Sequence, residues 1–332
     1  MRIGCVGAGR MGRGIAVAFA TVGYDVVLVD AKHRAADDLA TLRLDVLASI
    51  RSETDFLADL GLLTRASAEA SLGRVAFLGR NEAEVELCRC DVIFEAVPET
   101  LEAKRQCFAF IGEFARPDCI IASTSSTIDP EMLAPLISGA ERFLNAHWLN
   151  PAYLMPLVEL AAHERTEALV IGRLKQLLVD AGKVPISCKG SAGYIVPRIQ
   201  TLAMNEAARI VEEGVATAED VDMAIRVGFG PRFAVLGLLE FSDWGGGEIL
   251  YFASKFLADR IDPARFAPPD ILTENMQKQQ RGLCDGRGFH DYASLDVGQY
   301  RRQRLTDFVD LLRHRDLLPP FKTDDAIDAK SE

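Results

Sequence analysis

The 332-residue chain predicts an α/β fold: a doubly wound, mostly parallel sheet followed by an all-α C-terminal domain. Three observations carry this reading. Short apolar runs alternate with amphipathic segments over the first 188 residues. A glycine-rich turn directly follows the first of those runs. After Lys189-Gly190-Ser191 the pattern becomes almost wholly helical. Strand–helix alternation is the signature of crossover connections, which build parallel sheets.

In chain order, the apolar runs that predict strands are Arg2 to Val6, Tyr24 to Asp30, Val75 to Leu78 and Asp91 to Val97. They continue with Cys119 to Ser123, Arg142 to His147, Leu157 to Ala161 and Val184 to Cys188. Helical spacing fills Leu101 to Phe114 and Thr166 to Ala181. An Ala- and Leu-rich insertion, residues 34–71, follows the second strand and predicts a helical pair broken near Gly61. The first domain is therefore placed at residues 1–189 and the helical one at 190–322, with a polar tail at 323–332. Breaks in the helical part are expected at Gly214, Gly228 to Pro231, Gly245 to Gly247 and Pro263 to Pro269.

Bulk properties narrow the function classes. Hydrophobic residues make up 49% and charged residues 26%, an ordinary globular balance. A net charge of −11 argues against nucleic acid, which asks for clustered Lys and Arg, and disfavours an anionic membrane surface. No apolar run reaches the roughly 18 residues that a membrane-spanning helix needs, and the N-terminal stretch lacks the pattern of a signal peptide. The seven cysteines are scattered without a C-x-x-C pair, so no metal is expected, and a reducing, cytoplasmic setting fits.

Gly7-Ala8-Gly9-Arg10-Met11-Gly12 fits G-x-G-x-x-G between a strand and a helix. Gly7 permits the tight turn, Gly9 lets the backbone approach a pyrophosphate, and Gly12 lets helix and strand pack closely. The free N–H groups of a helix start, with its dipole, favour that anion. The second strand ends in Asp30, an acid placed to accept from ribose hydroxyls and to repel an extra 2′-phosphate. A Rossmann unit that binds NAD is expected, although Lys32 and Arg34 follow closely enough to soften the preference over NADP.

Three later segments can carry chemistry. Ala122 to Thr127 puts hydroxyls at the carboxyl end of a strand, where ligands bind, and could equally cap the helix that starts near Asp129-Pro130. His147-Trp148-Leu149-Asn150-Pro151 offers a histidine suited to general-base work near neutral pH, or a structural imidazole bonded to backbone. Asn150 could bond a substrate oxygen or form an Asx turn. Glu159, within Met155-Pro156-Leu157-Val158-Glu159-Leu160, needs a partner if it is buried. His147 would be a suitable one, and an exposed edge-strand position is the other option.

Together these residues resemble the L-3-hydroxyacyl-CoA dehydrogenase family over roughly residues 1–240. The resemblance rests on Gly7 to Ala16, Val97-Pro98-Glu99 with Lys104, Ala122 to Thr127, and His147 to Pro151 with Leu157-Val158-Glu159. It also rests on Gly193-Tyr194-Ile195-Val196-Pro197-Arg198, Glu212 to Val215 and Glu219 to Asp222. It implies an NAD-dependent oxidation of a 3-hydroxyl to a ketone. His147 would be the base and Glu159 its partner. Ser126 and Asn150 would hold the reacting oxygen and the nicotinamide end, and Glu99 and Lys104 would lie on the cofactor side. The helical domain would cover the crevice and form a homodimer.

Two departures matter. Pro197 stands where the family has a polar Asn, and Gly230 to Glu240 is similar to the branch that acts on non-CoA hydroxy acids such as carnitine and gulonate. The insertion, where short-chain relatives place lysines near the CoA phosphates, has no Lys and is net acidic. The substrate is therefore a 3-hydroxyacyl-CoA such as 3-hydroxybutyryl-CoA, or a free β-hydroxy acid. An NAD-binding protein without turnover is a rival that the His147–Glu159 pair argues against. A 6-phosphogluconate-like enzyme would need a catalytic Lys, and none occurs between Gly190 and Lys255.

Overall fold

The computed structural model describes residues 1–320, so the polar tail expected at 323–332 lies outside the described residues. Two compact units divide the chain, one of residues 1–204 and one from Asn205 onward. The division falls inside the helix Val196–Glu212, beyond the change of character at Gly190.

The first unit is built on an eight-stranded sheet in the order β3-β2-β1-β4-β5-β6-β7-β8. Its strands are β1 (Arg2–Val6), β2 (Asp25–Val29), β3 (Val75–Leu78), β4 (Val92–Glu95), β5 (Ile120–Ser123), β6 (Phe143–Trp148), β7 (Leu157–Ala162) and β8 (Val184–Lys189). Each of the eight apolar runs becomes a strand. Only the β6–β7 pairing is antiparallel. Apart from the largely exposed β8, both faces of the sheet are covered, so successive strand residues enter different cores. Ile3, Leu28, Phe94 and Trp148 join one apolar cluster, while Val27, Ile93, Ile121 and Phe143 join the other. In the first cluster Phe19 and Phe94 pack edge-on to Trp148 at centroid distances of 5.8 and 5.7 Å. Burying one such ring contributes about 4 kcal/mol at about 25 cal/mol per Å².

Helix α1 (Arg10–Ala20) connects β1 to β2. The insertion is the expected helical pair, α2 (Ala36–Asp59) and α3 (Arg65–Gly73), with Gly61 at a φ of 72° in the turn between them. The strand order reverses between β1 and β4, and this switch point opens a crevice at the carboxyl ends of the strands.

Two expectations for the second unit need correction. Gly228 to Pro231 does not break the chain. A π-helical turn over Ile225–Phe229 runs directly into a helix over Gly230–Val235, because Pro231 sits in a first turn where its missing N–H costs nothing. Nor is the unit helical almost throughout. Residues 279–296 form an irregular loop around Asp243, a buried carboxylate that accepts from the Phe289 and His290 N–H groups at 2.9 Å each and from the Tyr292 hydroxyl at 3.1 Å. One acid thus satisfies backbone groups that a helix would otherwise have paired. The expected break at Gly245 to Gly247 is present, with Gly246 at a φ of 97° between the helices Leu238–Gly245 and Gly247–Arg260.

Candidate active site

The switch-point crevice has a volume of about 510 Å³ and is walled by Gly7, Ala8, Gly9, Arg10 and Met11 after β1, Asp30 after β2, and Ala96 to Pro98 after β4. Gly7 has a φ of 119°, and a Cβ there would collide with the Ala96 backbone. Gly12 lies behind the loop, where a Cβ would run into the Gly7 carbonyl. At Gly9 nothing lies within 4 Å of where a Cβ would stand. No side chain caps α1 at Gly9, which leaves its first N–H groups free for an anion. These features fit a dinucleotide: a glycine cradle, an uncapped helix start and an acid at the end of β2. Sequence reasoning missed the walls supplied by Leu42 of the insertion and by Gln106 and Cys107 of the helix Leu101–Phe114. The strand order brings β4 beside β1, and no local motif announces that. Asp30 pairs with Arg34, and Lys32 also lines the crevice, so the acid meets cations on its own loop.

Glu99 and Lys104 are not among the residues walling the crevice. Lys104 is fully buried, and its Nζ lies 2.9 Å from Glu95 Oε2 and 3.3 Å from Glu99 Oε2. Ser123 donates its hydroxyl to Glu95 at 2.6 Å, so the buried ions form a connected network. Glu99 Oε1 accepts from the Ser125 hydroxyl at 2.5 Å and from the N–H groups of Ser126 and Thr127 at 3.0 Å each. Partial burial opposes its charge, but the Ser125 bond, the Lys104 ammonium and the loop amides outweigh that and hold its carboxyl at about 2. The hydroxyl-rich loop is thereby fixed by an acid supplied from the end of β4. Ser126, half-buried, follows β5, and Asn150, exposed, follows β6, so both sit at carboxyl ends of neighbouring strands.

His147 and Glu159 do form a pair. They are directly opposite each other in the antiparallel β6–β7 ladder, which brings Cβ atoms to within about 5 Å. His147 Nδ1 lies 2.7 Å from Glu159 Oε2, and both residues are buried. Glu159 Oε1 accepts from the N–H groups of Ile195 at 3.1 Å and Val196 at 2.8 Å, where the helix Val196–Glu212 begins. A helix start stabilises a buried carboxylate, so Glu159 is solvated by protein instead of water. Pro197 occupies that same first turn, where it removes no backbone hydrogen bond. Two residues back along β6, on the same face, Asn145 donates to the Ile128 carbonyl at 2.9 Å and to the Tyr194 hydroxyl. Sequence reasoning gave no role to Tyr194 or Lys183. Lys183 is buried without a carboxylate, and burial lowers its pKa; its Nζ donates to the carbonyls of Ala152 at 2.7 Å and Met155 at 3.1 Å. It thereby pins the turn after Asn150.

Among the described residues, no group of three or more His, Cys, Asp or Glu side chains could hold a metal ion, and no helix is long and apolar enough to cross a membrane.

The family model described as 3-hydroxyacyl-CoA dehydrogenase, NAD binding domain, matches residues 2–191, and that for the C-terminal domain matches residues 193–292. A probable 3-hydroxybutyryl-CoA dehydrogenase of Deinococcus radiodurans is 30% identical over 88% of this chain and 100% of its own. The 5-formyl-3-hydroxy-2-methylpyridine 4-carboxylate 5-dehydrogenase of Mesorhizobium japonicum is 28% identical over 94% of this chain and 97% of its own. Among solved structures, a 3-hydroxyacyl-CoA dehydrogenase of Archaeoglobus fulgidus superposes with a TM-score of 0.75 at 29% identity, covering 96% of this chain and 100% of that one.

Proposed function

The chain belongs to the 3-hydroxyacyl-CoA dehydrogenase family, an NAD-dependent group of oxidoreductases acting on CH–OH, and from that premise we propose that His147 is the base that takes the proton of a substrate 3-hydroxyl. The observation that carries the proposal is the buried 2.7 Å contact between His147 Nδ1 and Glu159 Oε2. With Nδ1–H donated to the carboxylate, Nε2 keeps its lone pair and is the nitrogen free to accept a proton. The neighbouring anion stabilises the imidazolium that results, and the two N–H groups on its other oxygen hold it in place. The Gly7–Gly12 loop and Asp30 would hold NAD in the crevice, where it would supply the hydride acceptor. Ser126 and Asn150, which follow β5 and β6, are the residues assigned to orient the reacting oxygen.

A second reading of the substrate, a free β-hydroxy acid instead of a CoA thioester, is favoured by one observation. Every arginine of the insertion is already engaged: Arg34 with Asp30, Arg43 with Glu82 at 2.6 Å, Arg51 with Glu69 at 2.7 Å, and Arg65 with Asp55 and Asp59. A phosphate-rich carrier would have to displace these carboxylates. A Mesorhizobium relative is itself named for a pyridine carboxylate. The test is an NADH-absorbance assay of 3-hydroxybutyryl-CoA beside carnitine, gulonate and 3-hydroxybutyrate. The expected result for the CoA ester is a high KM that changes little from low to high salt. A low KM that climbs steeply with salt, the mark of a cation-built phosphate site, would overturn this reading. Saturable NAD binding with no turnover on any of them would instead support the binding-protein rival.

The helix Gly247–Arg260 exposes Ile249, Phe252 and Phe256 at 64%, 66% and 62%, an apolar stripe at helical spacing. This supports a homodimer formed through the helical unit. Sedimentation is expected to give twice the chain mass, and a monomer at micromolar concentration would sink the idea. Seven free cysteines are in keeping with the reducing cytoplasm.

A further inference from the structure

Three non-glycine residues among those described have a positive φ: Tyr194 at 43°, Gln279 at 53° and Asp316 at 54°. Gln279 and Asp316 are exposed, whereas Tyr194 is 5% exposed. A residue with a Cβ enters this region at a cost, and a buried aromatic one keeps it only where the surroundings over-determine it. Glycine would suit the backbone better, as it does at Gly193 next door with a φ of 75°. What glycine lacks is the ring.

The consequences of the conformation all converge on one place. The turn at Tyr194 aims the next two N–H groups, of Ile195 and Val196, at Glu159 Oε1. The same turn folds the ring back beside His147, with centroids 5.8 Å apart and planes inclined by 38°. The ring's far end is then pinned. Its hydroxyl donates to the Ile128 carbonyl at 3.1 Å and accepts from Asn145 Nδ2. Ile128 closes the loop that Glu99 organises, and Asn145 shares a strand and a face with His147. A side chain held at both ends cannot rotate without breaking those bonds, so the imidazole beside it has one wall that does not move.

We propose that Tyr194 is a positioning residue for the His147–Glu159 pair, its ring fixing the plane of the imidazole and hence the direction of Nε2. This rests on the reading of His147 as the base. The hydroxyl acts as an anchor for the ring and takes no proton. The ion pair restrains the imidazole through its covalent stem and one hydrogen bond at Nδ1, and leaves the ring face unsupported. The flanking ring supplies the second constraint.

The test uses the full-length protein with NAD, and turnover is followed with 3-hydroxybutyryl-CoA and 3-hydroxybutyrate. Tyr194→Leu removes the wall and is expected to lower kcat tenfold or more, with the Kd for NAD unchanged within twofold. Tyr194→Phe returns the ring and recovers most of that loss. In the NAD complex of the natural protein, proton NMR is expected to show cross-relaxation between the Tyr194 ring and the His147 imidazole. The imidazole signal, assigned by its loss in His147→Gln, is expected to move in Tyr194→Leu. Three outcomes would overturn the proposal: no cross-relaxation in the natural protein, natural kcat in folded Tyr194→Leu, or a Tyr194→Phe as impaired as the leucine variant. If Tyr194→Leu does not fold, the cross-relaxation and the phenylalanine variant still decide. Failure of the base assignment has a different signature, full turnover in His147→Gln whatever the Tyr194 variants do.

Discussion

His147→Gln is expected to lower kcat about 10²–10⁴-fold, the usual worth of a positioned general base, while the Kd for NAD stays within twofold. Glutamine is close in size to the buried imidazole and can still donate to Glu159 Oε2, so the β6–β7 ladder and the carboxylate keep their partners. What it lacks is a nitrogen that can take up a proton. The crevice loop is built from other residues, so cofactor binding is not expected to follow the loss of turnover. Stopped-flow turnover and isothermal titration with NAD check the two halves separately. Wild-type kcat in the variant would remove His147 from the chemistry. A parallel loss of NAD affinity would mean that the substitution had disturbed the sheet.

Gly12→Ala is expected to act on the opposite half, weakening NAD binding 100-fold or more, which corresponds to about 2.8 kcal/mol at about 1.4 kcal/mol per decade. A Cβ at Gly12 would collide with the Gly7 carbonyl oxygen, a backbone atom that cannot rotate away, and it also approaches Leu28 to 3.4 Å. Relief requires α1 to move off β1, which carries the uncapped N–H groups away from where a pyrophosphate must sit. Calorimetric titration with NAD, and thermal melting with and without it, report the effect. The natural protein is expected to gain Tm on adding NAD, and the variant to gain little. Unchanged affinity would show that the loop is more pliable than its packing implies.

Most of the architecture was legible because its signals are local. Each strand falls on a short, mostly apolar run, and the glycine loop, Asp30 and the His147–Glu159 spacing are readable from types and intervals alone. The physical cause of that spacing was not. Twelve residues suffice because β6 and β7 are antiparallel, and nothing in the runs distinguishes the reversed pair β7 and β8 from the parallel strands before them. Lys104 was hidden for a related reason. The resemblance implied a cofactor-side position for it, and only the sheet order shows that Glu95 lies within reach of its ammonium. Pro231 misled because proline marks a helix's first turn as readily as its end. Asp243 gave no warning that it would replace a stretch of helix, since the amides it serves lie more than forty residues away.

The antiparallel pairing of β6 and β7 also makes the His147–Glu159 pair hostage to length. His147 and Glu159 face each other only because the connector between β6 and β7 has its present number of residues. In a ladder of period two, a single inserted or deleted residue that slipped the register would turn Glu159 to the opposite face of the sheet, into the apolar cluster around Trp148. A gene carrying one inserted codon there would still encode every residue named above and every strand of the sheet. It would nevertheless specify a protein whose imidazole has no counter-ion, a defect that no inventory of residue types would reveal.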